Sequence, residues 1–305
     1  MADAFPQDDD LPIADGDPRA VFIEMFRAAR TYLLGDGQAN EARDRVATNP
    51  KGEATRAFDA EAERIALDIA RKRLGSFRAF SEEAGELIVG DNPRWTLVLD
   101  PCDGSNNFKR GIRSVGFAVA ALPPNVPLDP DHVDYAVCGD IFTGTVYSAA
   151  RGRGATLDGH RIHTSPLSEM RHAMLGINIG HDGPTAPARD PGEPGDPDGD
   201  ARLSRRLWEL LERAATVRRS GSTVLDLCYV AQGAYNAYVD LRRRLTPENF
   251  LAPALVIREA GGYFTGATGQ PLGAVAFTHP YSVLASGDDE LLHAIMDALY
   301  GEEGM

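Results

Sequence analysis

A short apolar run that ends in an acidic turn limits most strongly how this chain can fold. Residues 95–99 (Trp-Thr-Leu-Val-Leu) have the length and character of a buried strand. They lead directly into residues 100–108, Asp-Pro-Cys-Asp-Gly-Ser-Asn-Asn-Phe. Paired carboxylates at a strand end can converge on one hard cation, and the turn after them offers N–H groups to an anion such as phosphate. The alternative is an ordinary turn, since Asp, Gly, Ser and Asn are frequent turn residues.

The composition is that of a soluble globular protein with an acidic surface. The chain has 305 residues, enough for one large domain or two lobes, and 43% of them are hydrophobic. The formal net charge of −14 argues against nucleic acid as a partner. No apolar run approaches the ~20 residues that span a bilayer, so no membrane partner is expected. Three widely spaced cysteines and a polar, acidic N-terminus indicate reduced thiols, no secretory signal and a cytoplasmic location.

Helical and strand-like patterns are mixed along the chain, which predicts an α/β (α+β) protein built in layers. Amphipathic helices are expected at 19–34 and 58–74, followed by short strands. Residues 86–89 and 96–99 are expected to form neighbouring strands, and the glycine-rich stretch 152–161 a loop.

The domain organisation follows from the same patterns. Residues 1–17 are predicted to be a disordered N-terminal tail. A single domain is expected over 18–305, divided into lobes at 18–165 and 166–305. The Pro-, Gly- and Asp-rich stretch 183–200 is predicted to be a flexible surface insertion.

Four separated segments form one larger pattern. Ser81-Glu82-Glu83 follows a short strand, the motif at 100–108 follows the next strong strand, Gly-Arg-Gly-Ala stands at 152–155, and Glu-Ala-Gly-Gly at 259–262 ends an apolar helix. In this order and spacing they resemble the inositol monophosphatase family of magnesium-dependent, lithium-sensitive sugar phosphatases. That group includes fructose-1,6-bisphosphatases and 3′(2′),5′-bisphosphate nucleotidases. The resemblance implies a layered αβαβα sandwich and a phosphomonoesterase that works by metal-activated water.

The resemblance also implies roles for individual residues. The implied ligands of two or three Mg²⁺ ions are Glu82, Asp100, the backbone carbonyl of Cys102, Asp103 and Asn249. Asp59 and Ser105 would orient or deprotonate the attacking water, and Glu83, which is next to Glu82, would support the metal ligands or help to order that water. The implied phosphate contacts are Asp103, Gly104 and Ser105.

Elementary chemistry agrees with these roles but leaves alternatives open. Mg²⁺ prefers oxygen ligands, and water bound to a metal ion becomes a usable nucleophile near neutral pH. Glu82 and Glu83 could instead be a solvated surface pair, since charged side chains mostly stay exposed. Asp59 could equally be a charge at the start of a helix, where a carboxylate is favourable.

The chain departs from the family pattern near its C-terminus. Counting back from Glu259 puts Asn249 where the family usually has a metal-binding aspartate. An asparagine keeps an oxygen ligand but loses a charge, so the second cation would bind more weakly. Glu248 could compensate, although adjacent helix positions point about 100° apart.

Charged residues before this helix are the predicted substrate contacts. Asp240 can accept hydrogen bonds from sugar or inositol hydroxyls, and Arg242, Arg243 and Arg244 can meet a further phosphate. This arrangement is similar to archaeal-type enzymes that act on inositol phosphates and on fructose-1,6-bisphosphate. The alternative is a solvated basic loop.

The predicted function is therefore Mg²⁺-dependent hydrolysis of inositol monophosphate, with fructose-1,6-bisphosphate as a second substrate. One alternative is a 3′(2′),5′-bisphosphate nucleotidase. Another is a weakly catalytic phosphate-binding member of the family, which Asn249 favours. Because family members are commonly dimers, the resemblance also implies a homodimer.

Overall fold

The computed structural model describes residues 13, 16–39, 42, 44–50, 52, 54–179 and 197–301. The helices in these ranges are α1 (Arg19–Leu34), α2 (Ala57–Leu74), α3 (Ser105–Lys109), α4 (Pro197–Arg213), α5 (Thr223–Ala231), α6 (Pro247–Glu259) and α7 (Asp289–Tyr300). The strands are β1 (Arg45–Thr48), β2 (Ala54–Arg56), β3 (Phe77–Ser81), β4 (Gly85–Val89), β5 (Thr96–Asp103), β6 (Gly116–Leu122), β7 (Tyr135–Asp140), β8 (Val146–Ala150), β9 (Gly154–Leu157), β10 (His160–Arg161), β11 (Met174–Asn178), β12 (Thr216–Arg218), β13 (Ala237–Leu245), β14 (Tyr263–Gly266) and β15 (Tyr281–Ser286). Among these helices, none combines the length and apolarity needed to cross a bilayer.

The elements stack in five alternating layers of helix and sheet. Helices α1 and α2 cover the outer face of an eight-stranded sheet with the order β10-β9-β8-β7-β6-β5-β3-β4. Helices α5 and α6 lie between this sheet and a five-stranded sheet with the order β12-β11-β13-β15-β14. Helices α4 and α7 cover the far face of the second sheet. The predicted αβαβα sandwich is confirmed.

The position of β5 explains why the run at 95–99 is apolar at successive positions. Side chains alternate between the two faces of a strand. Leu97 and Leu99 therefore pack in the core under α1 and α2, whereas Val98 packs in the core that contains α5 and α6. A strand covered on both faces has no position that faces water.

Two expectations about the sheet are wrong. Strand β3 lies between β4 and β5, antiparallel to the first and parallel to the second, so 86–89 and 96–99 are not neighbours. The edge position suits β4 because Ile88 and other alternate residues are exposed, whereas β3 is mostly buried. The glycine-rich stretch 152–161 is not a loop but contains the antiparallel strands β9 and β10.

The predicted tail and insertion fall largely outside the described residues. Asp17, at the end of the predicted tail 1–17, is buried, and its carboxylate forms a 2.7 Å ion pair with the Arg19 guanidinium. Residues 183–196 of the predicted insertion are not among those described, and α4 begins at Pro197, inside its predicted C-terminal part.

Helix α6 joins two of the segments that the sequence pattern singles out. At its C-terminal end, the Glu259 carboxylate accepts 2.7 Å hydrogen bonds from the N–H groups of Gly152 and Gly154. The Glu-Ala-Gly-Gly and Gly-Arg-Gly-Ala segments therefore meet directly. The helix is buried along most of its length, and its other end lies beside the C-terminal part of β5.

Candidate active site

Acidic residues follow the neighbouring parallel strands β3 and β5 at the same end of the eight-stranded sheet, where both strands have their C-terminal ends. Their parallel register pairs Ser81 with Leu99, so Glu82 and Asp100 come next on neighbouring chain segments. Burial raises the pKa of the Cys102 thiol most, and the charges of Asp59, Asp100 and Glu82 raise it further. Three carboxylates from separate parts of the chain therefore act electrostatically on one buried thiol. This thiol stays protonated, which removes it as a nucleophile.

Asp59, in the first turn of α2, is a buried carboxylate whose charge acts on Cys102. Burial raises its pKa to about 7, with a further contribution from the charge of Glu83. Contacts with Cys102 and with the Ser105 hydroxyl oppose that rise. Its Oδ1 atom is buried and has no hydrogen-bond partner among the described residues. A carboxylate in this state can exchange a proton near neutral pH.

The turn that carries Glu82 and Glu83 is held by two residues that the sequence reasoning did not assign. The Glu63 carboxylate on α2 accepts hydrogen bonds from the N–H groups of Glu83 at 2.9 Å and of Ala84 at 2.7 Å. The Thr55 hydroxyl donates to the Glu83 carboxylate. Glu63 lies one helical turn after Asp59, so one face of α2 supplies a carboxylate to the site and another to its supporting turn.

The turn after β5 is compact and is connected to the second half of the chain. Gly104 has φ +103°, and a Cβ atom there would lie 3.0 Å from the Ser114 carbonyl oxygen. The Asn107 side chain donates 2.8 Å hydrogen bonds to the carbonyl oxygens of Ser114 and Ser220. The Ser105 hydroxyl lies 3.3 Å from the Cys102 carbonyl oxygen, to which it donates. Helix α3 has only five residues, so the turn rather than a long helix shapes this part of the site.

Asp103 faces the start of α5. Its Oδ2 atom accepts hydrogen bonds from the Ser222 hydroxyl at 2.6 Å and from the Val224 N–H at 2.8 Å. Burial raises the pKa of Asp103 to about 6. The Ser222 and Val224 bonds lower this pKa, the charge of Glu248 raises it, and the charge of Arg242 lowers it.

Asn249 contacts the site, but with the opposite polarity to the predicted one. Its Oδ1 atom accepts a 3.1 Å hydrogen bond from the Thr246 N–H within a helix capping box. Its Nδ2 atom donates to Asp100 Oδ2 at 3.2 Å. Reversing the amide would place its oxygen against the Asp100 carboxylate and its NH₂ group against the Thr246 N–H. The structure therefore presents Asn249 as a hydrogen-bond donor to Asp100, which differs from the predicted metal ligand.

The predicted substrate contacts divide into a buried pair and an outer part. Asp240 is fully buried, and both of its oxygens accept from the Arg242 guanidinium, at 3.0 and 2.6 Å. The Asp240 carboxylate therefore positions Arg242, and the charge of Arg242 acts on Asp103. Direct contact between Asp240 and a substrate stays a prediction. Arg243 and Arg244 lie further out on β13, with Arg244 exposed.

A cavity of about 270 Å³ opens beside the carboxylates. The lining side chains with chemistry are Asp59, Glu82, Glu83, Ser105, Arg56 and Lys109. Arg56 and Lys109 were not assigned a role from the sequence, because neither basic residue belongs to a recognisable motif. They supply the positive charge that an anionic ester needs in an acidic protein.

The oxygen donors around Cys102 fit a hard divalent cation by their chemistry. One of them, Asp59 Oδ1, is a buried atom that a cation would satisfy. As placed in the described ranges, however, no three His, Cys, Asp or Glu side chains are gathered closely enough to hold a metal ion. The carboxylates would have to draw together around a bound cation.

Comparison with known proteins shows which family this chain belongs to. The sequence matches the model of the inositol monophosphatase family over residues 20–300. The chain belongs to the inositol monophosphatase family. As a member of this family it is a phosphoric monoester hydrolase, and the resemblance inferred from the sequence is confirmed.

Relatives of this inositol monophosphatase family member support the assignment over most of its length. A fructose-1,6-bisphosphatase/inositol-1-monophosphatase of Thermococcus kodakarensis is 28% identical over 273 residues, covering 88% of this chain and 91% of that protein. An inositol-1-monophosphatase of Aeropyrum pernix is 31% identical over 261 residues, 85% of this chain and 89% of that protein. The crystal structure of the extragenic suppressor protein suhB from Bartonella henselae has a TM-score of 0.76 at 21% identity, covering 94% of this chain and 99% of that one, which shows the shared fold.

Proposed function

We propose that this chain is a Mg²⁺-dependent phosphomonoesterase that hydrolyses inositol monophosphate, with fructose-1,6-bisphosphate as a second substrate. The observation that carries the proposal is the cavity that Asp59, Glu82, Glu83 and Ser105 line together with the cationic side chains of Arg56 and Lys109. The names of the two archaeal relatives support both substrates.

The residues that we propose as ligands of two or three Mg²⁺ ions are Glu82, Asp100, Asp103 and the Cys102 carbonyl. When bound, Mg²⁺ would lower the pKa of coordinated water and neutralise charge on the phosphoryl oxygens. Asp59 is the proposed proton acceptor for the attacking water, because its raised pKa matches that task near neutral pH. The neighbouring Ser105 hydroxyl would orient the same water, and Glu83 would help to order it.

The proposed substrate contacts lie on both sides of these acids. Gly104 and Ser105 would offer N–H groups to the phosphate, and Arg56 and Lys109 would attract the anionic ester into the cavity. Arg242, held by Asp240, would lie toward the part of the substrate that is not cleaved.

The proposal is tested by assaying the purified protein against inositol 1-phosphate, fructose-1,6-bisphosphate and 3′-phosphoadenosine 5′-phosphate, with Mg²⁺ and with EDTA. Hydrolysis of the first two in Mg²⁺ alone is expected. Asp59→Asn and Asp100→Asn should each lower kcat by about 10²-fold or more. Asp68→Asn, an exposed carboxylate on α2, is the matched control and should leave kcat unchanged.

Several outcomes would contradict this proposal in different ways. Wild-type kcat in Asp100→Asn would show that the site has been assigned wrongly. A preference for the nucleotide would favour a 3′(2′),5′-bisphosphate nucleotidase. Absence of turnover with all three esters would favour a weakly catalytic phosphate-binding protein.

We also propose a cytoplasmic homodimer that does not bind nucleic acid. The three cysteines are free and buried, as expected for a reducing compartment, and the net charge is −14. Light scattering should give twice the monomer mass of 32.9 kDa, and a monomer would contradict the dimer.

A further inference from the structure

Two buried polar residues lie side by side on the neighbouring strands β11 and β13. The parallel register of these strands pairs Asn178 with Asp240, which are 8% and 0% exposed. Ile177 and Val239, the residues before them, pack in the core under α4 and α7. Because side chains alternate between the two faces of a strand, Asn178 and Asp240 point to the opposite face. That face of the second sheet is the one covered by α5 and α6, toward the candidate active site.

Each of these two residues holds an arginine side chain, but the two pairs differ in charge. Asp240 accepts hydrogen bonds from the Arg242 guanidinium at 3.0 and 2.6 Å, and Asn178 Oδ1 accepts one from Arg219 Nε at 3.3 Å. The Asp240 carboxylate compensates the charge of Arg242. The Asn178 amide is neutral, and none of the carboxylates in the described ranges forms an ion pair with Arg219. Since Arg219 is exposed, it presents a positive charge that an anion can reach.

The segment that follows Arg219 is joined to the turn after β5. The Asn107 side chain donates a 2.8 Å hydrogen bond to the Ser220 carbonyl oxygen, and the Ser222 hydroxyl donates a 2.6 Å hydrogen bond to Asp103 Oδ2. Arg219 itself does not line the cavity beside the carboxylates. Its charge therefore lies next to the proposed place of the cleaved phosphate but outside it.

The chemistry of the Arg219 guanidinium suits a second phosphate group. Asn178 uses only Nε, and no residue in the described part of the chain uses the two terminal nitrogens. A guanidinium binds a phosphate through paired, charge-assisted hydrogen bonds, which are stronger than bonds between neutral groups. The monophosphate of a polyol has no further anion for this position, whereas a bisphosphate has one.

We propose that Arg219 is a specificity-determining residue that binds the second phosphate group of a bisphosphate substrate. Asn178 is the positioning residue that fixes the guanidinium and leaves its charge uncompensated. The site then selects a sugar bisphosphate over a polyol monophosphate. This inference rests on the proposed function, because it narrows the substrate class of the same site.

Steady-state kinetics with fructose-1,6-bisphosphate and inositol 1-phosphate in Mg²⁺ test the assignment. Arg219→Gln should raise KM for the bisphosphate by about 10-fold or more, because a hydrogen-bonded charge is lost from the bound ester. The kcat for the bisphosphate should stay within about threefold of the wild type, since this contact is made equally before and during cleavage. KM for inositol 1-phosphate should change by less than about twofold.

Arg218→Gln is the matched control, because it removes the same charge one residue away. Arg218 Nη1 donates hydrogen bonds to Thr216 Oγ1 at 2.6 Å and to the Val217 carbonyl oxygen at 3.0 Å, so this guanidinium is turned back along β12. Both KM values of Arg218→Gln should match the wild type. An equal rise of KM for the bisphosphate in both variants would overturn the inference, because the effect would then be one of overall charge.

Asn178→Asp tests the charge argument without altering Arg219. A carboxylate at this position would compensate Arg219 as Asp240 compensates Arg242, so KM for the bisphosphate should rise several-fold. If Arg219 only supports the end of β11, the new ion pair should leave KM unchanged, which would overturn the inference. A rise of both KM values by the same factor in Arg219→Gln would overturn it as well, because Arg219 would then bind the cleaved phosphate.

Calorimetry with fructose 6-phosphate in Mg²⁺ separates failure of this inference from failure of the proposed function. This ester carries only the phosphate that Arg219 is proposed to bind, and Arg219→Gln should bind it about 10-fold more weakly than the wild type. If the wild type hydrolyses inositol 1-phosphate but both proteins bind fructose 6-phosphate equally, or neither binds it, the inference is wrong and the function stands. If Arg219→Gln weakens this binding but the wild type cleaves no ester, the anion site stands and the function is wrong.

Discussion

Replacement of Asp226 by asparagine should change how the stability of this protein depends on pH. Asp226 lies in the first turn of α5, is fully buried, and neither of its carboxylate oxygens has a hydrogen-bond partner among the described residues. Burial raises its pKa from 3.8 to about 7, and the charge of Asp103 adds to the rise. Ser220 and the Tyr235 hydroxyl act in the opposite direction, but neither has hydrogen-bond geometry to these oxygens.

The sign follows from the protons bound in each state. Between pH 4 and 7 the folded protein keeps the Asp226 proton, whereas the unfolded chain has lost it. The free energy of unfolding therefore falls as pH rises, by up to about 1.4 kcal/mol per pH unit from this group. Between pH 5 and pH 7 the loss should reach about 2 to 3 kcal/mol, and above the folded pKa it should level off.

Urea unfolding of the wild type and of Asp226→Asn, at pH 5, 6, 7 and 8 in EDTA, measures this difference. EDTA removes the effect of metal binding, and other buried acids titrate in both proteins. The stability of Asp226→Asn relative to the wild type should increase by about 2 to 3 kcal/mol from pH 5 to pH 8. A difference that stays constant across this range would refute the reasoning, because the carboxyl group would then be ionised throughout.

Two further predictions concern the residues that support the site. Glu63→Gln leaves one side-chain oxygen to accept hydrogen bonds from two N–H groups, so the turn after β3 should loosen. Mn²⁺ affinity, measured by electron paramagnetic resonance of free Mn²⁺, should then fall several-fold, with a small change in Tm. Unchanged affinity would show that Glu63 does not position this turn. Gly104→Ala should lower the free energy of unfolding by about 1–3 kcal/mol and reduce activity, because φ is +103° and Ser114 lies 3.0 Å from the new Cβ atom. Its control, Gly111→Ala, has φ +72° in open space and should cost less in the same urea experiment, and an equal cost would contradict the steric argument.

The fold could be predicted from the sequence wherever periodicity and burial agree. Helix α1 begins and ends where its apolar pattern does, at Arg19 and Leu34. The order of strands was less accessible, because it depends on which strand tolerates an edge. The residues at 86–89 give no local signal that β3 lies between their strand and β5. The edge position of that strand is apparent only from the structure, in which Ile88 is exposed to solvent.

The site shows the same division between local pattern and tertiary context. The sequence indicated Asp59, Glu82 and Asp100, and in the structure the charges of all three act on Cys102. It could not indicate that Glu248 is buried and accepts a hydrogen bond from the Thr246 hydroxyl, because that contact depends on how the start of α6 packs.

The pairing of Asp240 with Arg242 also escaped prediction from the sequence. Two oppositely charged residues on one strand usually both face solvent, whereas here the backbone near Arg242 and burial bring them together. Glu63 gave a signal, a carboxylate one turn after Asp59, but that spacing alone does not reveal that it accepts backbone N–H groups.

The hydrogen bond between Asp100 and Asn249 joins residues 149 positions apart, and this separation has a consequence for synthesis of the protein. A ribosome adds about 5–20 residues per second, so roughly 7 to 30 seconds pass between the translation of these two residues. During that interval β5 carries acidic side chains whose partners from α5 and α6 do not yet exist. The hydrogen bonds of Asp100 and Asp103 to α5 and α6 can thus form only after these helices have been translated, however early the first sheet forms.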